Sequence, residues 1–118
     1  MFLERLRLIQ QRVPGSVALC LVGKDGIPVE SIEDEENLDL EALAAEVMTQ
    51  VSAISSNPSD LPMGALQQFS ITTDRYTILI GALSASYYLL MVLVPEATYG
   101  RARFELRRAR LAFEDDLD

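Results

Sequence analysis

Tyr87-Tyr88-Leu89-Leu90-Met91-Val92-Leu93-Val94 is apolar at every position apart from its two tyrosine hydroxyls. A run of that length without polar alternation reads as a β-strand covered on both faces, and such a strand belongs in the interior of a sheet. Two further strand-like runs precede it, Leu66 to Thr72 (LQQFSIT) and Arg75 to Leu83 (RYTILIGAL). Asp74 marks the turn between those two and Ser84-Ala85-Ser86 the turn before Tyr87, and connections so short imply an antiparallel meander. The last strand of that meander still needs an apolar neighbour on its free side. Ser16 to Gly23 (SVALCLVG) is the other nearly continuous apolar run of strand length. Lys24-Asp25-Gly26 then supplies a hairpin turn, with Gly26 available for a positive φ, and Ile27 to Ile32 (IPVESI) returns as the second arm. Pro28 has no N–H to give a ladder, so this arm belongs at an edge. With strands numbered in chain order, the expectation is one five-stranded antiparallel sheet in the order 2-1-5-4-3.

Three helices complete the pattern. From Phe2 to Val13, Phe2, Leu6, Ile9 and Val13 share one face, and Pro14-Gly15 stops the helix. Leu38 to Ser56 (LDLEALAAEVMTQVSAISS) is longer, with an apolar stripe of Leu40, Leu43, Ala44, Val47, Val51 and Ile54, and with Asn37 or Asp39 as its N-cap. Pro95-Glu96 opens the last helix, whose expected buried stripe is Tyr99, Ala102, Leu106, Ala109 and Phe113. Phe104 and Leu111 lie off that stripe and are expected against Leu3 and Leu8 of the first helix. Asn57 to Gly64 reads as a turn-rich connection, and the tail from Glu114 to Asp118 as frayed. The expected class is α+β, α-β-β-α-β-β-β-α, a single domain over residues 1–118, with the long helix on one sheet face and the terminal helices on the other.

Composition excludes several functions. The 118 residues contain no histidine and a single cysteine, so there is no Ser-His or Cys-His nucleophile system, imidazole metal site, zinc knuckle or internal disulfide. The glycines are scattered, with no phosphate-cradling loop between strand and helix. The acidic run Glu33 to Glu36 lacks the central glycine of a calcium loop. Neither an enzymatic activity nor a cofactor or metal is expected. A net charge of −8 disfavours nucleic acid and anionic membrane surfaces. No apolar run is long enough to span a bilayer and Met1 to Gln11 lacks a signal-peptide core, so the expectation is a cytoplasmic protein without membrane insertion. Cys20, inside an apolar strand, is expected to be an inert buried hydrophobe. The last helix is strongly basic for so acidic a chain, and its arginines are expected to be solvated or paired with carboxylates such as Glu105 and Glu114.

What remains is contact surface. Opposite its apolar stripe, the long helix carries Ala42, Ala45, Thr49, Ala53 and Ser56, all small and uncharged, where an ordinary surface helix would carry Lys and Glu. Leu66 to Thr72 is the second sheet edge, with no proline, lysine or charge to deter pairing. A dimer interface is therefore expected from Ala42, Ala45, Thr49, Ala53, Gln67, Phe69 and Ile71. The remainder of the helix surface, Glu41, Glu46, Met48, Ser52 and Ser56, is expected to meet a further partner.

The element succession, together with Val13-Pro14-Gly15, the hairpin Gly23-Lys24-Asp25-Gly26-Ile27-Pro28-Val29 and the helix segment Tyr99 to Arg108 (YGRARFELRR), resembles the roadblock family, which includes dynein light chains and bacterial MglB proteins. The resemblance covers nearly the whole chain through short, structural motifs. It implies a homodimer, or a heterodimer with a paralogous roadblock protein, that binds a small Ras-like GTPase of the MglA type and acts as its GTPase-activating partner. The alternative it implies is a dimerisation scaffold for a larger complex that leaves GTP hydrolysis unchanged.

Overall fold

Cys20 of one strand lies opposite Leu90 of another, and Leu21 opposite Leu89, which joins the two uninterrupted apolar runs at the middle of the sheet. The structure is a computed structural model that describes residues 2–34, 38–54 and 66–113. The elements are α1 (Phe2–Arg12), β1 (Ser16–Gly23), β2 (Pro28–Glu33), α2 (Leu40–Ile54), β3 (Gln68–Thr72), β4 (Thr77–Ala82), β5 (Tyr87–Leu93) and α3 (Tyr99–Phe113). All strand pairs are antiparallel and the order is β2-β1-β5-β4-β3, as expected from the sequence.

The strand period of two divides β1 and β5 between two cores. Leu19, Leu21, Leu89, Met91 and Leu93 point toward α1 and α3, where Leu6, Ile9, Leu106 and Phe113 meet them. Ala18, Cys20, Val22, Leu90 and Val92 point to the opposite face, covered by Leu40, Ala44, Val47 and Val51 of α2. Both sides of the central strands are dry, which is why neither strand alternates with polar residues.

The turns follow local chemistry. Gly26 has φ +86°, its N–H donates to the Gly23 carbonyl at 2.9 Å, and the Ile27 N–H donates to the Asp25 carboxylate at 3.0 Å. The second arm is displaced by one residue from the expected Ile27–Ile32, because the β1–β2 register shifts between Leu21 and Val22 and brings Pro28 opposite Val22.

The last helix departs more from expectation. The Ala97 N–H donates to the Val94 carbonyl at 3.0 Å, so the chain first makes a turn after Pro95. The helix begins at Tyr99, with the Ala102 N–H bonded to the Thr98 carbonyl at 3.2 Å, and Glu96 lies outside its first turn. Its buried residues are Ala102, Glu105, Leu106, Ala109 and Phe113, so Glu105 takes the place expected for Tyr99. Phe104 and Leu111 do not pack on α1: they are 53% and 72% exposed, and Leu8 is 46% exposed. Of the four leftover hydrophobics only Leu3 joins the α1–α3 core. Asn37, Ser56, the connection at 57–64, part of the acidic run and the tail at 114–118 lie outside the described residues.

Candidate functional site

The start of α2 is set by Asp39, whose carboxylate accepts the Ala42 N–H at 3.1 Å while its carbonyl accepts the Leu43 N–H at 3.0 Å. That phase buries Leu40, Ala44, Val47, Met48 and Val51 against the sheet. Ala42, Ala45, Thr49 and Ala53 consequently face outward and are exposed. The Thr49 hydroxyl donates to the Ala45 carbonyl at 2.9 Å, so even the one polar group of this face is satisfied within its own helix. Glu41, Glu46 and Ser52 are exposed around it.

Met48 corrects the expected partner surface. It is 2% exposed and belongs to the α2 core, because the buried arc of the helix is rotated toward it and away from Leu43 and Ile54. Leu43 is half-buried and Ile54 is 42% exposed, which adds apolar surface to the accessible side.

The second part of the expected interface is β3, which among the described residues pairs with β4 alone and forms an edge of the sheet. Gln67 is exposed, and Phe69 and Ile71 are half-buried on the α2 side of the sheet. The helix itself packs against β1 and β2, so Phe69, Ile71 and Tyr76 at the far end of this face stay partly open. An uncharged strand edge and an uncharged helix face therefore occur on one side of the molecule. Such surfaces suit protein contact and offer no group for covalent chemistry.

The opposite side is different. Eight of the ten basic residues belong to α1 and α3 (Arg5, Arg7, Arg12, Arg101, Arg103, Arg107, Arg108 and Arg110), whereas only Glu4 and Glu105 of the eighteen acidic residues do. Glu105 is 1% exposed, and the guanidiniums of Arg12, Arg101 and Arg108 approach it at 3.7, 3.8 and 3.8 Å. Sequence reading treated Glu105 as a surface neutraliser, although its helical position beside Ala102, Leu106 and Ala109 already pointed inward. The Arg103 guanidinium donates to the Gln68 side chain at 3.2 Å, and that of Arg5 donates to the Ala112 carbonyl at 3.1 Å while stacking on Phe113.

Cys20 is fully buried, and desolvation, followed by the nearby Glu33 charge, pushes its thiol up to about 12. Burial also raises the Tyr88 phenol above its ordinary value. Among the described residues, no cluster of three or more acidic or cysteine side chains could hold a metal ion, and no helix is long and apolar enough to cross a membrane.

No family model matches the chain, and no curated protein matches it. Solved structures do. An MglB with a tetrameric arrangement superposes with a TM-score of 0.82 at 19% identity, over 92% of this chain and 82% of that one. A Roadblock/LC7 domain from Streptomyces avermitilis gives 0.80 at 16% identity, over 92% and 91%. The gliding protein MglB from Thermus thermophilus gives 0.80 at 18% identity, over 91% and 81%. With its sheet order, its helices on the two faces and these superpositions taken together, the chain has the roadblock fold.

Proposed function

We propose that this chain is a dimeric regulatory partner of a small Ras-like GTPase of the MglA type, either as a homodimer or paired with a paralogous roadblock protein. The observation that carries the reading is the outer face of α2, where Ala42, Ala45, Thr49 and Ala53 stand exposed without a charge among them. On a roadblock fold such a face has little reason to be small and uncharged unless another backbone approaches it. Pairing of β3 with its twofold mate, through Gln67, Phe69 and Ile71, would extend the sheet across two copies and bring the α2 helices side by side. Glu41, Glu46 and Ser52 would then rim a surface on the twofold axis, where the bulk of one GTPase domain excludes a second.

With no histidine in the chain and its one cysteine buried, any acceleration would come from ordering the GTPase's own machinery. A pure scaffold is the second reading, and the tethering of Arg101 and Arg108 to Glu105 and of Arg103 to Gln68 favours it over an activator that inserts an arginine. The deciding experiment is co-purification with an MglA-like GTPase from the same genome, followed by single-turnover GTP hydrolysis. A complex with faster hydrolysis is expected of a regulator, and a complex at the unstimulated rate selects the scaffold. Failure to form any complex would overturn the regulator.

A further inference from the structure

The charge of this chain is segregated by its fold, and the segregation coincides with a cleft. Between α1 and α3 runs a groove of about 260 Å³ with apolar walls from Leu8, Ile9, Ala109 and Phe113, and with Arg12 and Arg108 at its lip. Three arginines line it, Arg5, Arg12 and Arg108, against the single carboxylate of Glu105, in a chain whose net charge is −8.

The floor of the groove includes Glu105. Neither of its buried carboxylate oxygens accepts a hydrogen bond, and three guanidiniums stand around it at ion-pair distance. One carboxylate thus gathers three cations without saturating their N–H donors. The half-exposed guanidinium of Arg108 and the partly exposed one of Arg12 line the groove and keep donors to meet further oxygen acceptors at its mouth.

We propose that this groove is a docking site, separate from α2 and β3, for an acidic polypeptide segment with an aliphatic anchor. The anchor occupies the cleft between Leu8 and Ala109, and the flanking carboxylates pair with Arg12 and Arg108. Charge complementarity selects the occupant: the guanidiniums call for anions, and the fork of arginine matches carboxylate geometry. The apolar walls call for a side chain that can enter a cleft. A lipid bilayer, which meets a protein as a broad surface, would leave that cleft unfilled. A nucleic acid would bring phosphates but no aliphatic group for it.

The test uses the full chain and a fluorescent peptide built from Glu and Leu, with Leu at helical i, i+3, i+4 and i+7 spacing, followed by anisotropy. A Lys and Leu peptide of the same pattern is the control. The Glu peptide should bind, weaken as salt rises, and lose about tenfold or more in affinity with Arg108→Glu, the size expected when one interfacial charge pair is reversed. Lys24→Glu, the same charge change on the hairpin, should alter binding less than about twofold. Leu8→Ser, at an exposed position, provides a second variant that tests the anchor without touching charge and should also weaken binding. Equal affinity of the native chain and both groove variants would overturn the proposal. So would equal binding of the Lys peptide, or co-sedimentation with phosphatidylserine vesicles without peptide binding.

Discussion

The Glu105 carboxylate lies 3.7 Å from the Arg12 guanidinium and is 1% exposed, so a buried acid on α3 is tied to the end of α1 by a cation that still reaches water. Desolvating a carboxylate that accepts no hydrogen bond offsets much of what three ion pairs contribute. Glu105→Leu, which fills the same volume and frees the arginines to solvent, should leave stability within about 1 kcal/mol of native or raise it. Glu105→Ala should lower it by about 2 kcal/mol through lost methylenes and a cavity. Urea unfolding of both variants checks the pair, and a Leu variant well below the native chain would show that the ion network stabilises the fold.

Two glycines should respond to alanine in opposite directions. Gly15 has φ +91°, and a Cβ there would lie 2.7 Å from the Ala97 Cβ and 3.1 Å from its Cα. Gly15→Ala should therefore cost about 2–4 kcal/mol, from the left-handed backbone together with the clash against the turn before α3. Gly100 lies in the first turn of α3 with nothing within 4 Å of an added Cβ. Gly100→Ala should stabilise by up to about 1 kcal/mol through helix propensity. Thermal melts of the two variants moving in the same direction would contradict this account.

The sheet order was legible because β1 and β5 are the strands that need cover on both sides, and Ser16 to Gly23 and Tyr87 to Leu93 declare that need residue by residue. The cap of α2 was legible as Asn37 or Asp39, both short polar side chains just ahead of the periodic residues, and the Asp39 carboxylate holds the Ala42 N–H. The phase of α2 was harder. Met48 sits at the margin of the apolar stripe, and whether the margin or Ile54 is buried depends on how the helix lies over β1 and β2. Glu105 was misread because its polarity outweighed its position, and because its partner Arg12 comes from a helix far away in sequence. Pro95 looked like a helix start, but the chain needed a turn at Val94 to Ala97 before α3 could return over the sheet. Which exposed faces meet partners is a property of the partners as well, and no single chain encodes both halves.

The arginines of α3 should not act as catalytic fingers toward a GTPase. A finger must extend into the partner's phosphate site, whereas Arg101 and Arg108 lie against Glu105 and Arg103 is held by Gln68. Replacing each α3 arginine by alanine should leave any stimulation of GTP hydrolysis within a few-fold in single-turnover assays. Loss of about a thousandfold for one of them would identify a finger.

Association of two copies should depend on α2 and β3 together. Phe69→Lys places a charge on the half-buried face of an edge strand, and Thr49→Arg puts a long cation on the small outer face of α2. Each should shift sedimentation from dimer toward monomer at micromolar concentration, whereas Arg75→Ala at the β3–β4 turn should not. A native chain that sediments as a monomer under those conditions would remove the dimer from the proposed function.

Alkaline stability should depend on Cys20. Its thiol is raised from 9.0 to about 12, first by desolvation and then by the Glu33 charge, so the folded chain holds this proton where the unfolded chain has released it. The sign follows directly: the contribution is complete below about pH 9 and is lost as pH rises toward 12, at roughly 1.4 kcal/mol per pH unit. The Tyr88 phenol, also raised by burial, acts in the same direction. Urea midpoints of the native chain should therefore fall between about pH 9 and pH 11, while Cys20→Ala, weaker at neutral pH because it leaves a small void, should fall less steeply over that interval. The same burial makes the thiol unreactive in the folded state, so labelling by a disulfide reagent at neutral pH should follow unfolding. Rapid labelling of the native chain, or identical alkaline slopes for the two proteins, would mean that Cys20 is not enclosed as the structure has it.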